Sequence, residues 1–184
     1  MEAKRKEMDT KKELLDNIVD AVRQAGEIIL GAESIEDFVE EKSGHANFVT
    51  AYDKKVQDFL FGKLKEILPE AVFIGEEEET HAALPEGYAF IIDPIDGTTN
   101  FMKGYCASCI SVGLLKKGKA EIGVVYNPYL KEMFHAIKGE GAFATESRFM
   151  YPREVFRTDL FYSEVHLIMK SLRRNHLNGR TVCL

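Results

Sequence analysis

The sequence predicts an α+β lobe: two N-terminal helices packed on an antiparallel sheet, followed by an atypical tail. Three observations predict it. Apolar residues recur at helical spacing in two early stretches, residues 9–31 and 50–67. Short apolar runs separated by turn residues then succeed one another from residue 71 to residue 144. After residue 144 the composition changes abruptly.

The first stretch places Leu15, Ile18, Val19, Val22, Ala25 and Ile29 on one helical face and ends near Gly31. Residues 38–41 read as a short strand, and Ser43 to Asn47 as a polar loop. His45 there reads as an exposed loop residue. The second helix begins around Thr50, with Asp53 three residues on in a capping-box-like arrangement. Val56, Phe59, Leu60, Leu64 and Ile67 form its apolar stripe, and Pro69 follows its end.

Strands are predicted at 71–75 and 88–93, then at 108–115, 121–126, 132–137 and 142–144. Lys116-Lys-Gly-Lys119 reads as a hairpin turn, Asn127-Pro128 as a second turn, and Lys138 to Gly141 as a third. His135 falls inside a strand, where packing explains it better than catalysis. His81 carries no clear signal, and Glu78 and Glu79 read as solvated.

The chemistry concentrates where two of these strands end. One run, Ala71-Val72-Phe73-Ile74, leads to Gly75-Glu76-Glu77. The other, Tyr88 to Ile92, leads to Asp93-Pro-Ile-Asp-Gly-Thr-Thr-Asn-Phe101. Carboxylates at neighbouring strand ends can converge on one point. Mg²⁺ prefers oxygen ligands and shares its sphere with water and substrate phosphate. Pro94 fixes φ and removes an N–H, so the segment from Asp93 to Asp96 reads as a rigid turn. That turn can aim both carboxylates, and the Ile95 carbonyl, to one side. Gly97 permits close backbone approach to a ligand. A helix starting at Gly97-Thr98-Thr99 would offer free N–H groups to an anion. The pattern therefore points to a divalent-metal site facing a phosphate. Asp-Pro and Asp-Gly alone are ordinary turn dipeptides; it is the whole nine-residue string with the upstream Gly-Glu-Glu that carries the reading.

These segments resemble the inositol monophosphatase family of Mg²⁺-dependent, lithium-sensitive phosphatases. Val49-Thr50-Ala51-Tyr52-Asp53, with Lys42 ahead of it, and Lys138-Gly-Glu-Gly-Ala-Phe143 match as well. The resemblance covers residues 8–144 and implies the first lobe of that family's α/β sandwich. It implies that Glu76, Asp93, Asp96 and the Ile95 carbonyl are metal ligands, and that Thr98 with Glu76 activates the attacking water. By the same resemblance the Gly97 and Thr98 amides hold the phosphate with Asp96 beside it, and Asp53 supports the site. Lys42 would sit on a loop near the metals. The family's water attacks phosphorus directly, so no phosphoenzyme is implied. A homodimer is implied too.

Composition narrows the class. The chain has 184 residues, 45% of them hydrophobic, which suits one domain with a core. A net charge of −6 argues against a nucleic-acid partner. No apolar run approaches the length of a membrane span. The first residues lack the apolar core of a signal peptide. Cys106, Cys109 and Cys183 read as free thiols in a reducing cytoplasm, the first two buried or half-buried in a strand.

The tail, residues 145–184, stands apart. Lysine dominates the basic residues up to residue 144, whereas 145–184 hold six Arg and one Lys. The family resemblance also implies a second lobe with a Trp-Asp-x-Ala metal ligand, and this sequence has no Trp. The break suggests a frameshift or an alternative end to the coding sequence. Against that, Phe161, Val165, Ile168, Met169 and Leu172 fall at helical spacing. Two function classes follow: hydrolysis of inositol monophosphate or a related small phosphate, or a catalytically inactive metal-binding or dimerising relic.

Overall fold

The computed structural model describes residues 2–32, 39–41, 48–75, 86–144 and 147–149. Glu76, Lys42, His45, His81 and the whole stretch 150–184, with its proposed apolar helix and Cys183, lie outside the described residues.

Helix α1 runs Glu2–Leu30 and α2 runs Ala51–Ile67. Both form where the apolar spacing places them. Leu15, Ile18, Ala21, Val22, Ala25 and Ile29 on α1 are buried, and Val56, Leu60 and Leu64 on α2 are buried with them. Each of the larger of these side chains, the Leu, Ile and Val residues, contributes about 1.5–3 kcal/mol by leaving water. The Gly31 amide donates to the Glu27 carbonyl at 3.0 Å, closing the last turn of α1. Gly26 marks where α1 crosses the sheet. A β-carbon there would lie 2.6 Å from the Tyr126 ring and 3.1 Å from Pro128.

A two-stranded ribbon, β1 (Val39–Glu41) and β2 (Phe48–Thr50), precedes α2. The main sheet has seven strands: β3 (Val72–Gly75), β4 (Tyr88–Asp96), β5 (Cys109–Lys116), β6 (Lys119–Asn127), β7 (Glu132–Ile137), β8 (Gly141–Ala144) and β9 (Ser147–Phe149). They lie side by side in sequence order. All neighbours are antiparallel except β3 and β4, which run parallel. A parallel neighbour cannot be joined by a tight hairpin, and residues 76–87 make the longer connection.

Turn chemistry sets the meander's register. Lys117 and Gly118 both have positive φ, 52° and 69°, in the two-residue loop between β5 and β6. That is the turn whose twist matches paired strands. The Asn127 side-chain oxygen accepts from the Tyr129 and Leu130 amides at 3.0 and 3.1 Å, turning β6 into β7.

Alternation divides the sheet into two faces. Phe90, Ile92, Ile110, Val112, Leu114, Ile122 and Val124 join the helices in one core. Ile74, Ala89, Ile91 and Leu115 form a second cluster. Glu121 on β6 ties α1 to the sheet, accepting from Lys11 at 2.8 Å and from Lys138 at 2.7 Å. Burial raises its pKa, but the two lysines outweigh burial and hold it below the usual value. His135 stacks on its register partner Phe143, ring centroids 5.4 Å apart, so it is a packed residue. Burial pushes its pKa below 6.5, and the charge of Asp16 on α1 only partly offsets this. Among the described residues, no helix is long and apolar enough to cross a membrane.

The cysteine expectation holds at Cys109 and needs correction at Cys106. Cys106 is exposed and precedes β5, and Cys109 is half-buried at its first position. The chain turns at Cys106, where the Ala107 amide donates to the Tyr105 carbonyl at 2.8 Å. A turn of that kind carries residue 106 out of the ladder.

Two outcomes follow from this packing. Gly26→Val is expected to destabilise the fold by about 1–3 kcal/mol, because the added atoms meet Tyr126 and Pro128; urea unfolding measures it. His135 is neutral in the fold more readily than in the unfolded chain. Stability is therefore complete above its unfolded pKa and declines as pH falls from there through the lowered folded value. The loss of urea midpoint between about pH 7.5 and about pH 5.5 should shrink in His135→Gln.

Candidate metal centre

The site forms at the carboxyl end of β4. Asp93 and Asp96 are three residues apart, a spacing that would place them on opposite faces of a regular strand. The ladder between β4 and β5 slips there. Asp93 pairs with Ser111 and Asp96 with Cys109, so three steps on β4 match two on β5. The extra residue is a bulge, and Pro94, with no amide to give the ladder, lies inside it. The bulge returns both aspartates to one face. Contact confirms this at Asp96, whose Oδ2 is 3.6 Å from Cys109 Sγ.

The chain then reverses. Gly97 has φ 84° and ψ 40°, and the short helix α3 (Thr98–Met102) starts behind it. Its carbonyl accepts from the Asn100 and Phe101 amides at 2.8 and 3.0 Å. A β-carbon at Gly97 would also stand 3.2 Å from the Ala107 carbonyl oxygen. The Asn100 side chain donates to that same oxygen at 2.9 Å, tying α3 to the segment before β5. Phe101 is buried beneath α3, with the Tyr52 ring edge-on at 5.8 Å.

Thr98 links the pieces. Its hydroxyl donates to the Ile95 carbonyl at 3.0 Å, and Asp53 Oδ1 lies 3.5 Å away. Asp53 comes from the first turn of α2 and is 1% exposed. A carboxylate this buried must find its partners inside the fold, because an unsupported buried charge is costly. The structure thus brings together Asp53, Thr98, Ile95, Gly97 and Asp96, with Asp93 on the same bulge. Glu76 follows β3, whose last residue Gly75 pairs with Ile92 beside Asp93. A β-carbon at Gly75 would fall on the Gln57 side-chain amide.

The donors are carboxylate, carbonyl and hydroxyl oxygens, the set that a hard divalent cation takes. Among the described residues, no three Asp, Glu, His or Cys side chains converge closely enough to cage a metal. The cation would complete its sphere with water and with a ligand from outside this set.

Three residues escaped the sequence reading. Asn100 fixes the loop, and Ser111 and Cys109 face the two aspartates across the ladder. Only the cross-strand register reveals the last two, and the register depends on the bulge.

Comparison with known proteins bears on this arrangement. The model of the inositol monophosphatase family matches residues 10–179, past the compositional break at residue 144. Inositol monophosphatase 3 of Solanum lycopersicum is 42% identical over 134 residues, covering 71% of this chain and 50% of that protein. Inositol monophosphatase 1 of Homo sapiens is 41% identical over 138 residues, covering 73% and 50%. The structure of the Thermotoga maritima IMPase superimposes with a TM-score of 0.68 at 30% identity, covering 76% of this chain and 54% of that one. The chain spans about half the length of the curated relatives it matches.

Gly97→Ala is expected to cost about 1–2 kcal/mol, since alanine pays for the left-handed conformation. Urea unfolding checks it, with Gly87→Ala, in open space, as the control.

Proposed function

The chain belongs to the inositol monophosphatase family, and on that premise we propose that it hydrolyses a phosphomonoester, inositol monophosphate or a related small phosphate, with Mg²⁺. The observation that carries this reading is the bulge that turns Asp93 and Asp96 to one face beside the Thr98–Asp53 contact. Asp93, Asp96, the Ile95 carbonyl and Glu76 are the proposed ligands. Bound Mg²⁺ would polarise the phosphoryl group and make its water more acidic.

The protein's own residues have separate tasks. The Thr98 hydroxyl donates its hydrogen bond to the Ile95 carbonyl or to Asp53, which leaves its lone pairs to accept from the attacking water. Glu76 is the proposed partner of Thr98 in taking that water's proton. Gly97 and Thr98 offer backbone amides to the phosphate, and Asp96 stands beside them. Asp53 holds Thr98 in place from α2. Lys42 is the proposed basic residue near the metals. All of these positions fall within residues 8–144, which we read as the lobe, with 145–184 as a distinct tail. A homodimer in the cytoplasm completes the proposal.

A second reading is a lobe that binds metal or dimerises without turnover.

Phosphate release from inositol monophosphate, with and without Mg²⁺, separates the two. Under the first reading release depends on Mg²⁺ and falls about 100-fold or more in Asp96→Asn. Mg²⁺ binding to a folded chain without turnover selects the second.

A further inference from the structure

Helix α2 turns a second polar side chain toward the strand ends. Gln57 lies four residues beyond Asp53, one turn along the same helical face. It is 9% exposed, and its side-chain oxygen has no hydrogen-bond partner among the described residues. The amide lies against Gly75, the last residue of β3. A β-carbon on Gly75 would stand 2.7 Å from Gln57 Cδ and 3.2 Å from Nε2, with the amide oxygen nearer still. The amide thus fills the space that a side chain at residue 75 would take, its oxygen foremost.

A buried amide oxygen without a partner is costly. Packing alone does not ask for one, because leucine or methionine would fill a similar volume. The place of the contact supplies a reason. Alternation puts Gly75 with Phe73 on the helical side of β3, whereas Ile74 belongs to the other face. On β4, Ile92 is in the helical core, so Asp93 after it turns to that other face. Gly75 and Ile92 are register partners. Gln57 therefore presses on β3 at the step before the strand reaches the level of Asp93.

We propose that Gln57 is a positioning residue for the cation site. Its amide braces Gly75 and so sets the direction in which β3 delivers Glu76 to the side of Asp93. Gln57 itself touches neither the cation nor the phosphate. Asp53 and Gln57 then act one turn apart on α2, the first on Thr98 and the second on the end of β3. The proposal rests on the reading of Glu76 as a metal ligand.

The test is a double-mutant cycle on cation binding by the intact chain, read from the loss of the free Mn²⁺ signal in electron paramagnetic resonance. Mn²⁺ suits the same oxygen ligands as Mg²⁺. Gln57→Met keeps the length of the side chain and removes the amide. It should weaken Mn²⁺ binding about tenfold in the parent chain, and have no further effect once Glu76→Gln has removed the carboxylate. A general effect on packing would act in both backgrounds alike. Equal loss in the two backgrounds, or loss in neither while Glu76→Gln still weakens binding, overturns the proposal alone. Mn²⁺ binding that is absent from the parent chain, or indifferent to Glu76→Gln, overturns the ligand reading and the proposal with it. Gly75→Ala checks the contact by a separate route. It should lower the urea midpoint in the parent chain and much less in Gln57→Ala, where the space is open; equal lowering in both overturns the proposal.

Discussion

One inserted residue governs the carboxylate site. Without the bulge between Asp93 and Asp96, alternation would send one aspartate into the helical core and the other to the opposite face. Burying an unpaired carboxylate among Phe90, Ile92 and Ile110 would cost far more than a bulge does. Pro94 makes the insertion cheap, since it has no amide to leave unpaired. Everything downstream inherits this placement. Gly97 can reverse the chain only because β4 has ended there, and α3 can reach Asp53 only because Gly97 turns toward α2. The family membership and the local geometry meet at this point.

Much of the fold was legible because local signals and packing agree. The stripe on α1 is the stripe that is buried, and Lys117-Gly118 forms the turn its composition requires. Legibility failed where pairing is non-local. The parallel union of β3 with β4 depends on a partner chosen across residues 76–87, which no periodicity records. The strands β2 and β9 have three residues each, too short for alternation to register.

The site divides in the same way. The Asp93–Asp96 pair, the Ile95 carbonyl and Gly97 could be read from the string itself, since a proline and a glycine dictate the backbone between and beyond the carboxylates. Asp53 was legible only by resemblance, because a carboxylate in a first helical turn has an ordinary explanation. Its near-complete burial and the approach of Thr98 are visible only in the structure. The positions of Cys109 and Ser111 opposite the aspartates were not legible. Spacing along β5 says which residues share a face, but not which strand they oppose.

The order of strands in the sheet has a kinetic consequence. From β4 to β9 every strand lies beside its successor in the chain, so each pairing closes a short loop at small entropic cost. Contacts of this kind favour fast folding. The β4–β5 pairing that fixes both aspartates needs no contact from α1 or α2. Forming it brings two negative charges to one side of a nascent hairpin, and their repulsion opposes that closure most at low ionic strength. A divalent cation bound there would remove the repulsion. An ion held by the folded site for chemistry would then also bear on an earlier event, the rate at which the meander assembles.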